Sequence, residues 1–237
     1  MGGGAIDTVF VDVGGTLVPN AFARTPELQE RRVVTLGQVL HLDRRAAGRI
    51  VETVDGELDA APEAIVDDIL GRALAAHGFE HGAALVRSAR QALCVPLAEA
   101  LSPFDHAGEL LSTVKEMGLG CVILSNTAFR DAELYQRDFQ AFGWDGWVDR
   151  YLTSVDAGCC KPDERIFHQA LEMAGTRPDR VVMIGNSELA DIEPALRLGM
   201  RAIRVAIEEP PPMATAAGAC VTGLEQVPEV LQVWDRA

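Results

Sequence analysis

From residue 103 onward, strand-like apolar runs alternate one for one with amphipathic helical stretches, and that alternation leaves few folds open. A helix over Asp105–Met117 precedes a strand over Gly120–Leu124, and a helix over Asp131–Phe142 precedes a short strand over Arg150–Thr153. The next pairs are helix Asp163–Ala174 with strand Val181–Ile184, and helix Leu189–Leu198 with strand Arg201–Val205. A last short strand near Ala219–Val221 leads into a helix from Leu224. Alternation of this kind builds a doubly wound parallel sheet with right-handed crossovers. One more strand, Thr8–Val13, lies near the start and closes on Gly14-Gly15, a tight turn. Between it and the rest, from Pro26 to about Val95, apolar residues recur at helical spacing: Leu28, Val33, Leu36 and Leu40, then Ile50, Val54 and Leu58, then Ile65, Ile69 and Leu74, then Leu85, Val86 and Leu93. Roughly four helices and no convincing strand occupy that stretch, which must therefore be an insertion. The expected fold is α/β, a Rossmann-like doubly wound parallel core from residues 1–18 and 99–237, with an α-helical domain inserted over 19–98.

A length of 237 residues suffices for one such body with a smaller inserted one. The net charge of −14, from 21 basic against 35 acidic residues, argues against a nucleic-acid partner or an anionic membrane, both of which need clustered cations. No run approaches the roughly 18 apolar residues that span a bilayer. Met1-Gly-Gly-Gly-Ala runs into the first strand without a basic segment, so a cytoplasmic rather than secreted protein is expected. The five cysteines fit that compartment as reduced thiols, since none has metal-ligand spacing and the neighbours Cys159 and Cys160 cannot readily bridge each other. Only Lys115 and Lys161 are lysines, which makes Lys161 unusual by composition alone.

Four segments stand at or just after the carboxyl ends of expected strands, where open α/β sheets gather their chemistry. They are Asp12-Val13-Gly14-Gly15-Thr16, Ser125-Asn126, Lys161-Pro162 and Gly185-Asn186-Ser187-Glu188-Leu189-Ala190-Asp191. Taken singly, each has an ordinary meaning: a turn-capping Asp, a helix N-cap Ser, a solvated Lys, and acids favoured in a helix's first turn. In this order and context they resemble the haloacid dehalogenase superfamily, whose members are mostly phosphatases with a helical cap inserted after the first strand. The resemblance covers essentially the whole chain. It implies that Asp12 is the nucleophile that takes the phosphoryl group as an aspartyl phosphate, with Thr16, Ser125 and Lys161 completing the catalytic set. Gly14, Gly15, Ser125, Asn126 and Lys161 would hold the phosphoryl group, Lys161 by neutralising its charge. Magnesium would be held by Asp12, the carbonyl of Gly14, Asn186 and Asp191. The substrate would be a small phosphorylated metabolite, an anion entering between core and cap and selected by cap residues.

Two positions depart from the family pattern. Gly14 stands where phosphatase members carry the Asp that protonates the leaving group, and such a loss costs about 10² to 10⁴ in rate. Substrates with acidic leaving groups, acyl and aryl phosphates, suffer least. His106 and the acids of the insertion are candidate replacements. Asn186 stands in place of a metal-binding Asp, and Glu188 is a spare carboxylate beside it. These losses keep two other readings open, a binding protein that has lost turnover and a hydrolase of carbon–halogen bonds. Haloacid dehalogenases carry an asparagine in the fourth segment and dispense with metal; Arg24, Arg44 or Arg49 would then serve a halide or carboxylate. Phosphonate-cleaving relatives use a cap lysine, and none lies between Pro19 and Ser102. Asp-Val-Gly-Gly-Thr also resembles the first phosphate loop of sugar kinases and actin-like ATPases, a fold that needs two related domains and a longer chain.

Overall fold

A computed structural model of the chain describes residues 5–20, 25–61, 64–80, 82–208 and 214–235. Six parallel strands form one sheet in the order β3-β2-β1-β4-β5-β6, with β1 Thr8–Val11, β2 Gly120–Ser125, β3 Arg150–Thr153, β4 Val181–Gly185, β5 Arg201–Val205 and β6 Ala219–Val221. Every residue of β1 is buried, as suits a parallel strand covered on both faces. Val9 and Val11 face an apolar layer built with Leu110, Val114, Phe139 and Leu231, while Phe10 faces Ile166, Phe167 and Ala195 on the other side. The first layer belongs to helices α6 Ala107–Glu116, α7 Ala132–Ala141 and α11 Val227–Asp235, and the second to α9 Glu164–Ala174 and α10 Glu193–Arg197, the single turn α8 Ser154–Ala157 lying between β3 and α9 in the chain. Strand β1 pairs with β2 on one side, Val11 opposite Ile123, and with β4 on the other, Val11 opposite Ile184. The winding reverses there, so a crevice opens at the carboxyl ends of these strands.

Strands β3, β5 and β6 fall where the apolar runs predict them. Strand β1 is shorter than expected, because the amides of Thr16, Leu17 and Val18 all turn back onto the Val13 carbonyl and draw residues 12–18 into a compact loop. The single helix expected over Leu189–Leu198 is two pieces, a π-helical turn over Glu188–Ile192 followed by α10. Pro194 explains the break, since it has no N–H with which to continue the ladder.

The insertion consists of α1 Pro26–Leu40, α2 Arg44–Ala60, α3 Val66–Ala76 and α4 Ala83–Leu93, followed by the single turn α5 Leu97–Ala100. Thr25 caps α1 by accepting from the Leu28 amide, and Asp43 caps α2 by accepting from that of Ala46. Leu36, Ile50, Val54, Ile69, Leu74 and Leu93 close an apolar cluster of their own, against which Phe129 and Val155 of the sheet body lie half-buried. Two buried arginines join the bodies. Arg90 of α4, 3 % exposed, donates to Asp67 at 2.8 Å, to Asp131 at 2.9 Å and to the Phe129 carbonyl at 3.0 Å. Arg130 donates to Asp138 at 2.7 Å and to the Val95 carbonyl, while Asp138 accepts the Leu97 amide at 2.8 Å. Among the described residues no helix is long and apolar enough to cross a membrane.

Candidate active site

Asp12 follows β1 directly and is held at the sheet's carboxyl edge by its amide, which donates to the Ile184 carbonyl at 2.9 Å. Its carboxylate is 7 % exposed and receives two donors: Thr16 Oγ1 on Oδ2 at 3.0 Å, and Lys161 Nζ on Oδ1 at 2.8 Å. Lys161, 4 % exposed, also donates to Asp191 Oδ1 at 2.6 Å and to the Leu124 carbonyl at 2.8 Å. Burial works against its charge, but Asp12 and Asp191 outweigh that and hold the ammonium protonated well above the usual lysine range. Burial lifts Asp191 to about 6, with the Asp12 charge adding to the rise and Lys161 opposing it. The three side chains form one ammonium shared by two carboxylates, at the end of three different segments.

Asn126 fixes that arrangement from outside. Its Nδ2 donates to the Lys161 carbonyl and its Oδ1 accepts the Lys161 amide, both at 2.8 Å, so the β2 loop grips the backbone that carries the ammonium. Ser125 is buried, and its hydroxyl lies 3.1 Å from that of Tyr135 and 3.3 Å from the Asn126 carbonyl. Tyr135, which no sequence motif marks, thereby positions Ser125. Burial raises its phenol, so it stays a neutral hydroxyl.

In the fourth segment, both oxygens of Asp191 are engaged, Oδ1 by Lys161 and Oδ2 by the Ser187 amide at 3.0 Å. Gly185 makes this possible, because a Cβ there would stand 2.5 Å from the Asp191 carboxyl carbon. Asn186 packs equally tightly on Gly15, whose φ of +74° and missing side chain are both required: a Cβ would meet the Asn186 amide nitrogen at 2.2 Å. Glu188 is turned to other work, accepting from Arg204 at 2.8 Å, Thr215 at 2.7 Å and the Ala216 amide at 2.6 Å. These donors outweigh its burial and lower its pKa. It is therefore not a spare carboxylate for a metal. Asp12, the Gly14 carbonyl and Asn186 offer one negative charge between them, and Asp191 already accepts from Lys161 on Oδ1 and from the Ser187 amide on Oδ2. Among the described residues no group of three or more His, Cys, Asp or Glu stands together as a metal ligand set. Asp12, the Gly14 carbonyl and Asn186 are all hard oxygen donors, and their one charge is at the low end of what magnesium takes from a protein, the rest coming from substrate phosphate and water.

A cleft of about 490 Å³ runs over Asp12, Lys161, Asn186 and Asp191. Gly14, Asn20 and Asn126 form its border with a second cavity of about 420 Å³, which extends between the loops of the sheet body and helices α1, α2 and α4. A Cβ at residue 14 would lie 3.2 Å from Asn20 Oδ1, so the Asn20 amide faces the place where a side chain at 14 would begin. The second cavity is lined by Leu28, Leu58, Phe129 and Tyr135 together with Gln29, Arg32 and Asp55. The last three were not legible as site residues, because partners 26 positions apart on different helices leave no spacing signal. His106 lines neither cavity and pairs with Glu109 on the surface. Arg44 is exposed and paired with Glu30, Arg49 is exposed, and Arg24 lies outside the described residues.

The family model of haloacid dehalogenase-like hydrolases matches residues 6–199, and the chain belongs to that family. Among curated relatives it is 35% identical over 106 residues to a glyceraldehyde 3-phosphate phosphatase of Methanothermobacter thermautotrophicus, a match taking in 44% of this chain and 45% of that one. The chain thus aligns with about half the length of the curated relatives it matches. The fold is shared with a HAD phosphatase from Thermococcus onnurineus (TM-score 0.65, 17% identity, 95% of this chain and 98% of the other). It is equally shared with a 2-haloacid dehalogenase from Pseudomonas syringae (TM-score 0.65, 22% identity, 97% and 99%).

Proposed function

We propose that this haloacid dehalogenase-like hydrolase is a phosphatase for small phosphorylated compounds with good leaving groups, acting through an aspartyl phosphate on Asp12. The observation that carries this reading is the buried Asp12–Lys161–Asp191 group at the carboxyl ends of β1 and β4, opening to a cleft. An Asp12 oxygen forms a bond to phosphorus while the bond to the leaving oxygen breaks and its electron pair departs with the leaving group. Lys161 offsets the charge gathered between nucleophile and phosphoryl oxygens, and Asp191 keeps the ammonium aimed. Ser125 and Asn126, with the amides of the Gly14-Gly15 loop, receive the phosphoryl oxygens. Water then cleaves the aspartyl phosphate and restores Asp12. With Gly14 and Asn20 at the leaving side, neither of which donates a proton at neutral pH, the leaving group must depart as a stable anion. The helices over 19–98 serve as the cap over this cleft, and magnesium, offered a single carboxylate charge, adds little.

The test is hydrolysis of acetyl phosphate and an aryl phosphate by the purified protein, beside Asp12→Asn and with and without magnesium. Expected are turnover that Asp12→Asn abolishes with the fold intact, and a magnesium effect below about tenfold. Absence of Asp12-dependent turnover overturns the reading in favour of a binding protein. One observation favours a second reading: a lone nucleophilic carboxylate with a lysine, and no acid at 14 or 186, also suits displacement of halide, which leaves without a proton. Halide release from 2-chloropropionate by the same two proteins discriminates it.

A further inference from the structure

The geometry points to Asn20 as the residue that meets the leaving oxygen, its side-chain amide donating a hydrogen bond to that oxygen as the bond to phosphorus breaks. The inference rests on the phosphatase reading for the reaction and on the border between the two cavities for the assignment. A leaving group that departs from a phosphoryl at Asp12 into the second cavity crosses that border, and Gly14, Asn20 and Asn126 are the residues that line both spaces. Gly14 has no side chain. Asn126 commits both ends of its amide to the main chain of Lys161, at 2.8 Å each. The Asn20 amide is the one left over, since among the described residues only the backbone N–H of Asn20 is bonded, to Glu208 Oε2 at 3.1 Å.

The main chain sets Asn20 in that place. The Gly15 amide donates to the Val18 carbonyl at 2.7 Å and the Val18 amide to the Val13 carbonyl at 3.1 Å, so the loop after β1 doubles back and lays residue 18 beside residue 14. Pro19 restricts the next step of the chain, and Glu208, from the segment after β5, holds the Asn20 N–H. The side chain ends over Gly14, with Oδ1 3.2 Å from the point where a Cβ at 14 would begin. The torsion that turns the amide plane is broad and roughly two-fold, and no hydrogen bond fixes it, so a half turn brings Nδ2 to the position of Oδ1. Asn20 is exposed, which leaves its N–H groups open to a ligand in the cleft.

An amide N–H stabilises an oxyanion without giving up its proton. An Asp12 oxygen bonds to phosphorus, the bond to the leaving oxygen breaks, and the electron pair stays on that oxygen. Asn20 Nδ2–H meets the charge as it forms, and the released anion takes its proton from solvent. Such a donor acts in proportion to the charge that develops, so it helps a basic leaving oxygen more than an acidic one. It extends the range of substrates from acyl to aryl phosphates and stops short of alkyl phosphates, whose leaving oxygen needs the proton itself.

The ratio of kcat/KM for phenyl phosphate to that for acetyl phosphate tests the assignment, with Asp12→Asn as the control for the phosphatase reading and circular dichroism confirming the fold of each variant. Asn20→Ala keeps the backbone bond to Glu208 and should lower the ratio at least about tenfold at pH 7. Asn20→Asp should lower it further at pH 7, where the introduced carboxylate repels the leaving oxygen. Near about pH 4, where that carboxyl is protonated and donates, the same variant should regain at least the wild-type ratio measured at that pH. The charged groups around it are Asp12, Lys161, Glu188, Asp191 and Arg204 in the cleft and Glu208 at its own backbone. These are common to the wild type and both Asn20 variants, so comparison at equal pH removes their titration. Wild-type ratios in both variants overturn the inference and leave the phosphatase reading standing. A ratio that falls in Asn20→Ala without recovering at low pH in Asn20→Asp also overturns it, because a loss of packing alone would do that. Absence of Asp12-dependent turnover of either compound overturns both readings together.

Discussion

At the scale of single residues, the site is governed by how few charges it holds. Two carboxylates share one ammonium, and Asp191, 1 % exposed, bears the cost of the surplus. Its carboxyl sits near 6 in the folded chain against an ordinary value of 3.8, so between about pH 4 and 6 the folded state holds a proton that the unfolded state has released. Stability from this group is therefore full below about pH 4 and declines as pH rises through about 6. Thermal unfolding across that window should show the decline in the wild type and a flatter profile in Asp191→Asn. Gly14 is the other informative residue. Placing Asp there restores a proton donor beside the leaving oxygen at the cost of a third carboxylate and of pressing on Asn20. Gly14→Asp should raise the efficiency on an alkyl phosphate relative to an aryl phosphate by at least about tenfold, out of the roughly 10² to 10⁴ such a group supplies. Unchanged relative rates would show that position 14 does not face the leaving group.

Among the elements, those covering the sheet were legible and those joining the two bodies were not. Strands β3, β5 and β6 and the four inserted helices follow from apolar period, because burial of one face enforces that period whatever the neighbours are. The convergence of the four segments was legible as well, since strand ends are where loops are free to gather, and Asp12, Thr16, Lys161 and Asp191 meet there. Period says nothing of Tyr135, Arg32 or Arg90, whose partners come from other elements. Arg90 illustrates the limit: on a helix diagram it belongs to the polar face, yet it is buried between Asp67, Asp131 and the Phe129 carbonyl. Such a residue anchors α4 to the sheet body. Arg90→Met should cost about 3 kcal/mol by leaving the buried Asp131 carboxylate and the Phe129 carbonyl without their donor. Thermal unfolding measures that loss, and hydrogen exchange should place the loosening in α4 and the 94–97 linker.

The whole molecule consists of a sheet body with an apolar cluster on each face and a helical body with one of its own. The cleft belongs to the first and the second cavity to both, with Gly14, Asn20 and Asn126 on their shared border. Strand β1 has a further consequence, in time rather than in space. Its partners β2 and β4 follow only after the inserted helices, and Asp12 meets Lys161 across 149 positions of chain. Loop closure over such lengths is slow compared with helix formation. On refolding, the helical signal should return first and ligand binding at the cleft later, a lag that stopped-flow circular dichroism and fluorescence can read side by side. During synthesis, too, β1 emerges long before either neighbour, so a strand destined for full burial must wait unpaired while the entire insertion is made. The order of the genetic text thus makes Asp12 the first part of the cleft to be translated and among the last to be put in place.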